Sequence, residues 1–65
     1  MREPPQPTPK DQLRGLNAQL RALHAAPLIR DEFIEDIPAK DVPGFVDMTT
    51  RHLALVLKLI RELEL

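Results

Sequence analysis

The sequence predicts an all-α fold, a helical hairpin with a short middle helix, two long helices plus one short, completing a bundle by dimerisation. Three observations predict it. Leucines recur at Leu13, Leu16, Leu20 and Leu23, spacings of three, four and three that place them on one helical stripe. The terminal stretch RHLALVLKLIRELEL carries a single charge, Lys58, between Leu53 and Ile60. The chain has only two glycines and no Asn-Gly or Asp-Gly turn, which removes the usual chemistry of β-hairpins.

The division expected is a flexible proline-rich tail over 1–8 followed by one small helical domain over 9–65, with helices at about 9–25, 27–37 and 43–64. Four of the seven prolines fall within the first nine residues, where they favour an extended polyproline conformation. Pro4 and Pro7 form a PxxP spacing of the kind an aromatic-lined groove can read. The first helix starts at Thr8-Pro9-Lys10-Asp11. Thr8 is suited to capping the free N–H groups, Pro9 to the first helical position, and Asp11 to the reciprocal capping-box position. Pro27 halts this helix near Ala25 or Ala26.

The middle helix carries Leu28, Ile29, Phe33, Ile34 and Ile37 on one side. Arg30, Asp31, Glu32, Glu35 and Asp36 lie on the other, and Pro38 ends it. The connector PAKDVPGF cannot be helical throughout. Asp41 is the expected cap of the last helix, whose apolar arc spans roughly 200° at 100° per residue, where a surface helix needs little more than 100°. One neighbour cannot cover such an arc.

At 65 residues without cysteine the chain has no disulfide staple or thiolate metal site, and the entropy of ordering it roughly offsets what its aliphatic side chains recover on burial. Self-association is the remaining staple. The expected interface comprises Phe45, Leu53, Val56, Leu57, Ile60 and Leu63 of the last helix, with Leu13, Leu16, Leu20 and Leu23 of the first. Asp31, Glu32, Glu35 and Asp36, which make two i,i+4 carboxylate pairs, are candidate contacts for a second protein, as are Pro4 and Pro7.

Catalysis is not expected. Serine and cysteine are absent, Thr49 and Thr50 have no placed base, and Gly15 and Gly44 cannot build a phosphate cradle. Nor is a cofactor or metal site, since no HExxH, ExxH or EF-hand spacing occurs and His24 and His52 have no third ligand at helical spacing. His24 suits the negative end of the first helix and His52 a boundary position with one hydrogen bond.

Net charge is −1, distributed as +3 over residues 1–30, −5 over 31–47 and +1 over 48–65. Lys10, Arg14 and Arg21 give the first helix a modest basic side, but the acidic middle and the lack of stacking aromatics weigh against nucleic acid. Balanced charge and missing aromatic anchors weigh equally against a membrane-surface helix. The first residues lack an apolar signal region and no run reaches the length of a membrane span, so a cytoplasmic protein is the expectation.

The layout of a capped leucine-seam helix, a proline-rich connector and a second helix is similar to helical-hairpin dimers of the Rop type, with Pro27 adding a third short segment. The resemblance implies antiparallel long helices and carries no function across. The functional expectation is a non-enzymatic interaction module, an adaptor, regulator or accessory subunit, that self-associates through its C-terminal helix. The alternatives are an antitoxin-like or nucleic-acid-linked dimeric regulator, and a subunit whose apolar helix is covered by a heterologous partner.

Overall fold

A computed structural model describes residues 8–64, so the expected tail, with Pro4 and Pro7, lies outside the described residues apart from Thr8. Helices α1 (Pro9–Ala22), α2 (Asp31–Ile34) and α3 (Val42–Glu64) follow in order, with no strand among the described residues.

The start of α1 follows its sequence signals. The Asp11 N–H donates to Thr8 Oγ1 at 3.2 Å and the Thr8 N–H donates to Asp11 Oδ2 at 3.3 Å, closing the capping box. Hydrogen bonding of the Asp11 carboxyl to the Thr8 hydroxyl and to the Thr8 N–H, with Arg14 alongside, holds it below the ordinary aspartate range.

The helix stops earlier than Pro27 demands. His24 takes a left-handed φ of 59°, its N–H donates to the Arg21 carbonyl at 2.9 Å, and the Ala25 N–H reaches back to Leu20 at 2.9 Å. That pair of bonds is a Schellman closure, which satisfies two of the last carbonyls and turns the chain away. Proline sets an outer limit to a helix, but a left-handed residue can end it sooner.

The expected middle helix of 27–37 contracts to the single turn of α2. Arg30 precedes it in an extended conformation and offers no side-chain cap, while Glu35 and Asp36 would place two negative charges at the negative end of any longer helix. The apolar side is divided accordingly: Ile34 and Ile37 are buried, Ile29 is half-buried, and Leu28 and Phe33 are exposed. α3 begins at Val42, one residue before its expected start, and the Asp41 carbonyl accepts from the Phe45 N–H at 3.3 Å.

The two long helices do not form a hairpin. Thr8, Pro9 and Lys10 line the same small cavity as Val42, so the N-terminal ends of α1 and α3 lie together. Leu13 shares a buried cluster with Ile34, Ile37 and Val42, ringed by Ile29, Phe45 and Val46. At the far end the His52 ring reaches the Ala26 carbonyl just beyond α1. The helices therefore run side by side in the same sense, and residues 23–41 carry the chain back along α1 to start α3 where α1 started.

A hairpin needs a short connection. Here the link is long enough to retrace α1, about 21 Å at 1.5 Å per residue, and its single helical turn supplies core residues on the way.

Candidate interaction surface

One stripe of α3 runs its whole length. Val42, Val46, Thr49, Leu53, Val56, Ile60 and Leu63 follow at alternating spacings of four and three, the pattern of a helix-packing seam. Its first half is covered: Val42, Thr49 and Leu53 are buried and Val46 is half-buried against α1 and the return segment.

Since α1 ends near the level of Leu53, the eleven residues 54–64 extend about 16 Å past it. Along that extension Val56 and Ile60 are half-buried, while Leu55, Leu57, Leu59 and Leu63 keep 54%, 42%, 49% and 86% of their surfaces. The seam thus loses its cover toward the tip, where Leu63 is open, and the leucines beside it, Leu57 and Leu59, are exposed with it.

What holds α1 against the first half is partly polar. Leu13 and Leu20 of the expected leucine stripe are buried, but Leu16 and Leu23 are only half-covered, and the buried residue between the first two is Asn17. At 1% exposure its Nδ2 donates to the Ile29 carbonyl at 2.7 Å and to Asp31 Oδ1 at 2.8 Å. Asn17 therefore clasps the return segment to α1. Its Oδ1 and the Thr49 hydroxyl are both buried without a hydrogen-bond partner.

The acidic segment is used largely within the chain. Asp31 pairs with Arg21 at 3.1 Å, Glu35 with Arg14, and the Glu35 carbonyl accepts from Lys10 Nζ at 3.0 Å. Glu32 pairs with Arg30 at 3.3 Å, and Asp36 faces solvent. These contacts engage the three cations that gave α1 its basic side. Arg30 also lies over the Phe33 ring, 5.1 Å from its centroid.

Sequence reasoning missed Asn17 because it fixed on the four leucines. Leu13, Asn17 and Leu20 share an equally good four-three spacing, and that was the available signal.

The remaining chemistry is sparse. His52 Nε2 lies 3.1 Å from the Ala26 carbonyl, and since a carbonyl only accepts, this nitrogen carries the proton. His24 sits exposed in the Schellman turn, so the two imidazoles are held by different local roles. No group of three or more His, Cys, Asp or Glu side chains able to hold a metal occurs among the described residues. An open cleft of about 360 Å³ is lined by Asn17, Arg21, Pro27, Arg30, Asp31 and Glu32, whose charges are already paired across it. No described helix is long and apolar enough to cross a membrane. Compared with known protein families, curated proteins and solved structures, the chain matches none.

Proposed function

We propose that this chain is a non-enzymatic helical interaction module, an adaptor, regulator or accessory subunit, that self-associates through the distal half of α3. The observation that carries the reading is the group of exposed leucines, Leu55, Leu57, Leu59 and Leu63, on the part of α3 that extends past α1. Residue types that suit one helix neighbour suit another.

Magnitudes support a weak, reversible association. The exposed fractions of Leu55, Leu57, Leu59 and Leu63 amount to a little over two whole leucines per chain. Covering them is worth roughly 5 kcal/mol per chain and about twice that per pair. Association costs about 4–15 kcal/mol in lost freedom. At the low end of that cost the balance is about −6 kcal/mol per pair, which corresponds to association at tens of micromolar and above. The nucleic-acid-linked alternative draws less support, because Lys10, Arg14 and Arg21 are engaged with the Glu35 carbonyl, Asp11, Glu35 and Asp31.

Solution mass across a hundredfold concentration range tests the proposal. The wild-type chain should rise toward twice the monomer mass. Leu57→Asp and Leu63→Asp should stay monomeric while keeping their helical circular dichroism, and Lys58→Ala should behave as wild type. A folded monomer throughout would overturn self-association, and equal behaviour of all three variants would remove the distal face from it.

A further inference from the structure

We infer that the acidic return segment screens a basic stripe of α1, and that this stripe is a surface for a linear chain of phosphates whose binding the screen keeps weak. The inference concerns the packed half of the molecule and does not depend on self-association. At 3.6 residues per turn Lys10, Arg14 and Arg21 fall within about 40° of one another, so three cations form a single row along about 16 Å of α1. Asn17 sits in the same row, and it is the residue that clasps the return segment. The row is therefore the side of α1 along which that segment runs.

The return segment answers the row acid for cation. Asp31 lies on Arg21 at 3.1 Å, while Glu35 lies on Arg14 and its carbonyl accepts from Lys10 at 3.0 Å. The other two carboxylates of the same acidic run avoid α1, Glu32 reaching Arg30 and Asp36 facing solvent. Two carboxylates four residues apart thus occupy the places that phosphates of a bound chain would take.

Exposed side chains hold the screen. Arg14 and Arg21 keep 37% and 62% of their surfaces, and Glu35 and Asp31 keep 67% and 39%. Ion pairs open to water contribute little and weaken with salt, so a polyanion can displace these carboxylates. Ile34 and Ile37 stay buried during the exchange, because only side chains at the rim have to turn. Lys10 differs from the two arginines, since a carbonyl partner leaves its charge uncompensated. Wild type therefore offers one full cation, and loss of both carboxylates raises the number toward three.

Affinity for a fluorescein-labelled oligothymidylate, read by anisotropy over a salt series, tests the screen. For wild type, log affinity should fall with log salt at a slope of about −0.7, one phosphate neutralised. Asp31→Asn combined with Glu35→Gln should tighten binding and move the slope toward about −2. Asparagine at position 31 keeps an oxygen for the Asn17 amide, so the clasp survives. Asp36→Asn with Glu62→Gln changes net charge equally but away from the stripe, and should keep the wild-type slope. Adding Lys10→Gln, Arg14→Gln and Arg21→Gln to the first variant should abolish its gain, and inorganic polyphosphate should displace the oligonucleotide. Equal gains in both carboxylate variants would reduce the effect to net charge and overturn the screen. So would a gain that survives loss of the three cations, or no gain in a chain that keeps its helical circular dichroism. Failure of polyphosphate to compete would overturn the phosphate chain as ligand. Should the double variant lose its helical signal, Glu35→Gln alone, at an exposed side chain, carries the same test with a smaller change of slope.

Discussion

Replacing Asn17 by alanine tests whether a single amide clasps the return segment to α1. The side chain makes two hydrogen bonds, one to the neutral Ile29 carbonyl and one to the Asp31 carboxylate. A neutral bond is worth about 1 kcal/mol net and one to a charged group about 1.5–3, so the pair contributes roughly 3 kcal/mol. Against this, Asn17→Ala also removes an unpartnered buried Oδ1, whose relief returns about 1 kcal/mol. The net loss is about 2 kcal/mol, large for a domain of this size, where total stability is roughly 3–10 kcal/mol. Thermal unfolding followed by circular dichroism at one fixed protein concentration should show a melting temperature lower by about 10 °C. A cycle with Asp31→Ala should recover a coupling of about 1.5 kcal/mol. A loss below about 0.5 kcal/mol, or no coupling to Asp31, would refute the clasp and leave Asn17 a spectator of aliphatic packing.

Three further outcomes follow from local chemistry. Thr49→Val replaces a buried hydroxyl that has no partner by a methyl of similar shape, and chemical denaturation should show about 1 kcal/mol of added stability. His24→Gly removes the steric cost of a left-handed φ of 59° and gives back part of the gain through greater freedom of the unfolded chain; a rise of about 0.5 kcal/mol, or 2–4 °C, is expected. Asp11 is held below its ordinary pKa by its bonds to Thr8, so its contribution is present above the unfolded value, about pH 4, and is lost as pH falls through the lowered folded value. The Asp11 carboxyl titration, read by nuclear magnetic resonance, should have its midpoint below about pH 4, and Asp11→Asn, whose amide oxygen can still accept from the Thr8 N–H but does not titrate, should remove the acid dependence of the first turn of α1.

Local signals were legible in the sequence to the extent that they were decided locally. Thr8, Pro9 and Asp11 needed only one another to start α1, and the aliphatic run from Leu53 onward needed only its own periodicity to mark α3. The direction of α1 relative to α3 was not legible. It depends on how far the chain travels between Leu23 and Asp41, and that depends on a left-handed turn at His24 that no histidine announces. The middle helix was overread because apolar spacing from Leu28 to Ile37 suits a helix, whereas its end charges and missing cap oppose one. Asn17 was hidden for a different reason: a polar residue in a seam declares itself only once the acceptors it serves, Ile29 and Asp31, have been folded against it. In the candidate surface the distal residues were visible as too wide an apolar arc. That α1 covers only the first half of the stripe had to come from the fold.

That division links folding to association in a definite order. The first half of α3 is fixed by Leu13, Asn17, Leu20 and the return segment, so the helix is already nucleated when it leaves α1 at Leu53. The last eleven residues of α3 extend past α1 with Leu55, Leu57, Leu59 and Leu63 exposed, so these leucines contribute little until something packs on them. On the proposed pairing, the second copy supplies that cover to both tips at once, and the ordering of residues 54–64 becomes dependent on concentration. Amide exchange in Ile60–Leu63 should therefore slow as protein concentration rises, while that of Leu13–Leu20 stays constant. Uniform slowing in both segments would place the interface on the packed half as well, and constant exchange in both would mean that the tips are never covered by their own kind.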